Sequence, residues 1–345
     1  QFVLHTRLLI TSQKEMWALI HLTLLGLCVA VQHSSRWREH DYREMEAIFA
    51  TGINTTKCAP VKIVHEGTTR NNCVTQLPMT NGFGSQYVGL MSAMAWAGLH
   101  NKAFCNTAFQ KIAHKQNAET CNILTGVPVG RCGRCYSGKE FFLRIQEELP
   151  AHRRLEAYTP CLRKQIRKFF DQGIENLGLH PVKFLFNDSN SVNVAVHIRR
   201  GDIMRENMNK GHDVIPNSVY RDAMHHIRVH LAKSGQKANF QVFSQGEVSD
   251  FKDIAEGHKD VQLQLLGDEG ALKTFVSMVK SDVLLMAPSS LSWAAAFLRV
   301  EAQNVRPKQW SYHKEPLPDW NKFVSVSVSN SYQLAFFDKQ GSGSN

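Results

Sequence analysis

The sequence predicts an α/β protein with a parallel sheet covered by helices on both faces, and three observations predict it. After residue 190, short apolar runs alternate with helical stretches at regular spacing, the rhythm of strand–helix–strand units. The first of these runs, "VAVHIRRGDI" (194–203), ends in paired arginines, and α/β sheets bind ligands at the carboxyl ends of their strands. Earlier, "NGFGSQYVGLMSAMAWAGLHNKAFC" (81–105) reads as glycine turn, apolar helix and short strand, one more unit of the same kind.

With 345 residues, of which 43% are apolar and 20% charged, the chain is globular and long enough for two domains with a core each. The expected division is a signal or anchor with a polar stem at 1–57, an α/β domain at 58–188, a second at 189–330 and a tail at 331–345. Lys and Arg outnumber Asp and Glu by 40 to 30, which favours an anionic partner. The basic residues are scattered, with short clusters at Arg153-Arg154 and Arg163-Lys164, and there is no zinc-finger spacing, RNP motif or basic helix. Nucleic acid is therefore not the expected partner, and a phosphorylated small molecule accounts for the charge as well.

Met16–Val31 is a nearly unbroken apolar run preceded by Arg7 and Lys14, the charge order of a secretory signal or a type II signal anchor that would tie the chain to a membrane. It contains His21 and falls short of the ~20 apolar residues of a full span, so a buried helix is the bland alternative. Seven cysteines lie outside that run, in loop-like sequence that suits disulfides in an oxidising lumen, and their odd number leaves a thiol over in a monomer. The "CGRC" of 132–135 follows no thioredoxin-like strand and has no second ligand pair for zinc, which leaves a structural disulfide or free thiols. Asn54-Thr55-Thr56 and Asn187-Asp188-Ser189 are glycosylation acceptors.

Along the chain, the helix of the glycine unit is expected over about Gln86–Leu99 and its strand near Lys102–Cys105, with 110–140 irregular. Two helices within 141–178 are broken near Pro150 and Pro160. Strands follow at Val192–Ile198, Phe240–Phe243, Val261–Leu265 and Val283–Met286. Helices come between or after them at about Tyr220–Ala232, 248–255, Ala271–Lys280 and Ser290–Val300. "RPKQWSYHKEPLPDW" reads as extended connection and "KFVSVSVSN" as a half-exposed strand.

Alternation sets Val194, Val196 and Ile198 on one side of the first strand and Ala195, His197 and Arg199 on the other. Gly201 permits a tight turn just beyond. Arg199 can then project into the crevice, where its planar fork can hold a phosphate by two hydrogen bonds. Arg200 can reach a second phosphate or pair with Asp202; a purely structural Arg–Asp pair is the bland alternative. In "SDVLLMAPSSLSWAAAFL" (281–298) a buried strand stops at Pro288, and Ser289 or Ser290 caps a helix whose free N–H groups form an anion site.

The H-x-R-R-x-D block at 197–202, the strand followed by Ser-Ser-x-Ser and an alanine-rich helix, and the "GFGSQ" loop together resemble the fucosyltransferase superfamily of α1,2-, α1,6- and protein O-fucosyltransferases. The likeness runs over about residues 80–300 and is closest to the α1,2/α1,6 branch. That family's early loop reads Gly-x-Gly-Asn-Gln, and here Ser85 replaces the Asn.

The resemblance implies a GT-B architecture, two Rossmann-like domains with a ligand cleft between them. Residues 58–188 would be the acceptor side and 189–330 the nucleotide-sugar side. It implies transfer of fucose from GDP-fucose to a glycan or glycoprotein hydroxyl, with inversion, without a metal or other cofactor, in the secretory pathway: anchored in the Golgi lumen or secreted. The absence of any Asp-x-Asp motif agrees with metal independence. By the same analogy His197 and Arg199 contact the GDP phosphates, Arg200 supports them, Ser289 and Ser290 lie near the β-phosphate, and Gly82, Gly84 and Gln86 belong to the donor site. Glu206, nine residues after His197, is the expected general base, with Asp202 next and Asp213 third. Thr274 stands where α1,6 members often place an acidic residue for the guanine or ribose, a role Asp268 or Glu269 could take over. Three alternatives follow: another nucleotide sugar, a catalytically silent binding member, and a dinucleotide-dependent oxidoreductase, against which "GFGSQ" lacks a third glycine and a clear preceding strand.

Overall fold

The structure is a computed structural model and describes residues 59–65, 69–70, 72–138, 141–149, 157–185, 190–201, 214–267, 270–287, 289–299, 303–307 and 323–326. They belong to one compact unit, Cys58–Asn345. The apolar run 16–31, the stem, both glycosylation triplets and the carboxylates Asp202, Glu206, Asp213, Asp268 and Glu269 lie outside the described residues. No helix among the described residues is long and apolar enough to cross a membrane.

The first half opens with strands β1 (Thr69–Arg70) and β2 (Cys73–Gln76), helix α1 (Phe83–Leu99) and strand β3 (Ala103–Phe104). Helix α2 (Ala118–Thr125), strands β4 (Arg131–Cys132) and β5 (Tyr136–Gly138), and helices α3 (Phe141–Glu148) and α4 (Pro160–Leu177) follow. Strands β3, β2 and β5 form a parallel three-stranded sheet and β1 pairs with β4. The expectation of irregular structure at 110–140 is corrected: Asn117 Oδ1 accepts the Thr120 amide at 2.9 Å and Gly126 closes α2 in the left-handed region at φ 63°. Likewise a strand does precede the glycine turn.

Two disulfides, Cys73–Cys135 and Cys105–Cys132, pin this sheet. The two cysteines of "CGRC" thus pair outward, one with Cys73 in β2 and the other with Cys105 just after β3, and the motif is structural. Cys161 is also disulfide-bonded. Cys121 is a free buried thiol pushed up to about 12 by burial, which suits a core residue and not a nucleophile.

The second half supplies β6 (Ser191–His197), α5 (Asn217–Lys233) and β7 (Lys237–Phe243), then a 3₁₀ turn at Val248–Phe251 running into α6 (Lys252–Ala255). Strand β8 (Val261–Gln264), α7 (Ala271–Lys280), β9 (Val283–Leu285), α8 (Ser290–Leu298), β10 (Gln303–Pro307) and β11 (Phe323–Val326) complete it. The six strands are parallel in the order β11-β10-β9-β6-β7-β8. Numbered from β6 and read from β8, this is 3-2-1-4-5-6, the order of dinucleotide-binding sheets, whose crevice opens between strands 1 and 4. Those strands are β6 and β9, in register at Val194–Val283 and Val196–Leu285.

The expected alternation along β6 holds. Val194, Val196 and Ile198 enter one apolar cluster beneath α5, while Ala195 enters another. That second cluster is shared by both halves: residues of α1 and α4 pack with Phe275, Met286 and Trp293. Phe275 meets Phe83, Tyr87 and Phe170 edge-on at 5.3–5.9 Å. Helix α1 is buried on nearly all sides, as an apolar helix between two layers must be.

Behind the crevice, buried guanidinium groups hold helix ends. Arg299 is fully buried and donates to the carbonyls of Met278, Ser281 and Asp282 at 2.6–2.8 Å, closing the carboxyl end of α7. Arg163 donates to Phe297 O at 2.6 Å and Arg167 to Leu298 O at 2.9 Å, closing α8. Burial lowers Arg299 to about 9 and Arg163 to about 10, so both remain cations that complement the negative helix ends. Arg299→Met strands those carbonyls without a donor and is expected to lower stability by about 2–4 kcal/mol. Urea denaturation checks it.

Candidate active site

At the carboxyl ends of β6, β7, β8 and β9 lies a crevice of about 180 Å³. Its floor is His197, Ile198, Arg199 and Arg200 after β6, with Phe243, Ser244 and Gln245 after β7. Gly267, Ala271 and Thr274 make one wall, Ser289, Ser290 and Leu291 another, and Gly82–Ser85 with His114 and Gln116 face them from the first half. Sequence reasoning put His197, Arg199, Arg200, Ser289, Ser290, Gly82 and Gly84 at one site, and the structure brings all seven to this crevice.

Two helix N-termini converge there. Ser289 caps α8, its side chain accepting the Leu291 amide at 3.1 Å. Gly82 precedes α1 with no side-chain cap, so first-turn N–H groups of α1 stay directed out of its end. The ends touch: a Cβ on Gly84 would lie 2.5 Å from the Leu291 amide nitrogen and 2.6 Å from its Cα, and Ser85 Oγ meets Ser290 Oγ at 2.9 Å. Glycine at 84 is thus a condition of the two positive helix ends sharing one crevice.

The β6 turn is fixed in the same manner. Gly201 has φ +71°, and a side chain there would run into Gln245. Arg200 donates to the carbonyls of Arg199 and Ile215 at 2.9 and 3.0 Å and to Asn217 Oδ1 at 2.6 Å, so it braces the turn that carries Arg199. Burial, chiefly, lowers its pKa.

His197 is buried, and its Nδ1 lies 2.5 Å from Ser292 Oγ. That hydroxyl also accepts the Ala287 amide at 3.2 Å, so Ser292 ties the ring to the end of β9. Burial first, and the Arg199 charge second, hold His197 down to about 4, so the ring is neutral at physiological pH.

Gln86 departs from expectation. It is fully buried, and its Nε2 donates to Asn81 O and Lys111 O at 2.7 Å each. Both amide protons are spent on the backbone, so it ties the glycine turn to the 111–116 loop and does not line the crevice. Four polar lining residues were missed: His114, Gln116, Ser244 and Gln245. Ser244 and Gln245 directly follow β7, and strand-end position in an α/β sheet was signal enough to find them. His114 and Lys115 are in the left-handed region at φ 63° and 55°, and no glycine marks that turn in the sequence.

Among the described residues, Cys73, Cys105 and Cys135 are the sulfurs close enough to suggest a metal, and all three are in disulfides. The depressed histidine yields a pH signature. The unfolded chain takes up a proton near 6.5 that the folded chain refuses until about 4, so the His197 contribution is whole above 6.5 and is lost as pH falls towards 4. Denaturation at stepped pH is expected to show about 3 kcal/mol of loss across that window that His197→Gln does not show; parallel curves for the two proteins would refute the buried neutral ring.

Residues 153–314 match the model of Glycosyl transferase family 11. No curated protein matches the chain significantly. Among solved structures, an α1,6-fucosyltransferase, NodZ, crystallised with GDP superposes with a TM-score of 0.34 at 10% identity, over 67% of this chain and 93% of that one. The Arabidopsis thaliana fucosyltransferase FUT1 in complex with GDP gives 0.37 at 9% identity, over 71% and 73% of the two chains. The Escherichia coli heptosyltransferase WaaC with ADP gives 0.31 at 10%, over 79% and 91%. Superpositions at that level assign neither ligand nor reaction. The family match takes in β6 with its two arginines, α7, β9 and α8, just under half of the chain.

Proposed function

We propose that the protein transfers fucose from GDP-fucose to a hydroxyl of a glycan or glycoprotein, with inversion and without a metal. The observation that carries this reading is the placement of Arg199 at the strand-order reversal, in one crevice with two helix N-termini and beside the buried neutral His197. A departing GDP develops negative charge on its β-phosphate, and fixed cations and N–H dipoles stabilise it without having to reorganise. The crevice of about 180 Å³ is smaller than the roughly 300–1,000 Å³ that hold a whole drug-sized ligand, so it suits the diphosphate end of the donor. The sequence contains no Asp-x-Asp pair of the kind that would bring a divalent ion to those phosphates.

The place of action we propose is the secretory lumen, in the Golgi or beyond. The apolar run 16–31 and the disulfides of the first sheet support it.

One observation favours a second reading. Thr274 lines the crevice with a hydroxyl where the α1,6 pattern has a carboxylate, which leaves room for another nucleotide sugar on the same frame. Thermal-shift titration with GDP and UDP separates the two, and stabilisation by UDP alone would reject fucose as the cargo. Tight GDP binding with no turnover would instead mark a silent member.

The decisive test is release of GDP from GDP-fucose in the presence of EDTA. Activity is expected to persist there, and Arg199→Ala is expected to lower it by about 100-fold or more. An Arg199→Ala protein that keeps its rate would overturn the reading.

A further inference from the structure

We infer that His114 is the proton acceptor of the transfer reaction, an assignment that rests on the function proposed above. The ionisable side chains among the described residues lining the crevice are His114, His197, Arg199 and Arg200. The two arginines are cations and carry no free lone pair on nitrogen for a proton. His197 has its Nδ1 committed to Ser292 and lies sealed on the floor. His114 is left, exposed, on the wall contributed by the first half and in the same crevice as Arg199.

Its presentation is built into the backbone. His114 and Lys115 both occupy the left-handed region, and two successive non-glycine residues there are held only when the surroundings demand it. The demand is visible: Ala113 N donates to Asn81 O at 3.2 Å, and buried Gln86 ties that same carbonyl to Lys111 O. The turn that carries His114 is thereby locked to the glycine turn at the start of α1. The imidazole lies along that turn, with Cδ2 3.2 Å from where a Gly82 Cβ would be.

In the step itself, the acceptor O–H bond breaks and its proton passes to a nitrogen of His114. The oxygen's electron pair forms the bond to the anomeric carbon from the face opposite the phosphate. The bond from that carbon to the β-phosphate oxygen breaks, and its electron pair leaves with GDP towards Arg199.

The test is GDP release from GDP-fucose with water as acceptor, run beside calorimetric GDP binding, on the full chain and on His114→Ala and His114→Asn. Asparagine tolerates the left-handed backbone, so a loss shared by both variants is chemical and not conformational. Release is expected to fall by about 100-fold or more in both, with GDP affinity unchanged within about twofold and partial rescue of His114→Ala by added imidazole. Release kept in both variants, as it would be if Glu206 or Asp202 took the proton, overturns the assignment and leaves the proposed function standing. A parallel loss of GDP affinity also overturns it, making His114 a phosphate ligand. No release or binding by the unaltered chain would bring down the proposed function itself.

Discussion

The contact between Gly84 and Leu291 is the constraint on which the rest of the molecule depends. It brings the N-termini of α1 and α8 together with nothing larger than a hydrogen between their backbones. Helix α1 comes from the first half and α8 from the second, so this contact turns the end of the six-stranded sheet into a crevice with a wall on each side. Without the approach, the arginines of the β6 turn would face open solvent, where a guanidinium gains little from a phosphate. The Ser85–Ser290 hydroxyl pair seals the same seam.

Charge is distributed along the helices with a consistent logic. Positive ends of α1, α7 and α8 meet the crevice, as Gly82–Ser85, Ala271 and Ser289–Leu291 in its walls record. The negative ends of α7 and α8 are closed by Arg299, Arg163 and Arg167 at the far side. Asp171, with its carboxyl lowered in pKa by hydrogen bonds from Lys280 and Arg167, shares that far cluster. The net positive charge of the chain is therefore not all at the surface. Part of it is internal and holds the helices in the orientation the crevice needs.

Most of the second half was legible because strand and helix differ there in local pattern. Strict alternation at Val194–Ile198 named both faces of β6, and the expected span Ala271–Lys280 is the helix found. The Ser289 cap and the Gly201 turn were readable for a related reason: each is a residue type chosen by backbone geometry. What escaped was set by distant partners. Gln86 looks like a ligand-facing amide until its two protons are traced to Asn81 and Lys111. The left-handed turn at His114 carries no glycine, and the two-residue strands β1 and β4 are too short to show a period. Helix α2 was overlooked although Asn117 and Gly126 mark its ends, because cysteine-bearing polar sequence suggested loop. The sharing of one core by both sheets was also invisible, since a helix apolar on every side does not say which layers it separates.

That shared core carries a thermodynamic consequence. Phe275 of α7, in the second half, is wedged among Phe83, Tyr87 and Phe170 of the first, so neither layer retains a complete interior if its neighbour melts. Denaturation of the region should therefore proceed as a single cooperative transition, and occupancy of the crevice would be felt as far away as the cystine-pinned edge, because a ligand that prefers the intact form shifts the whole equilibrium at once.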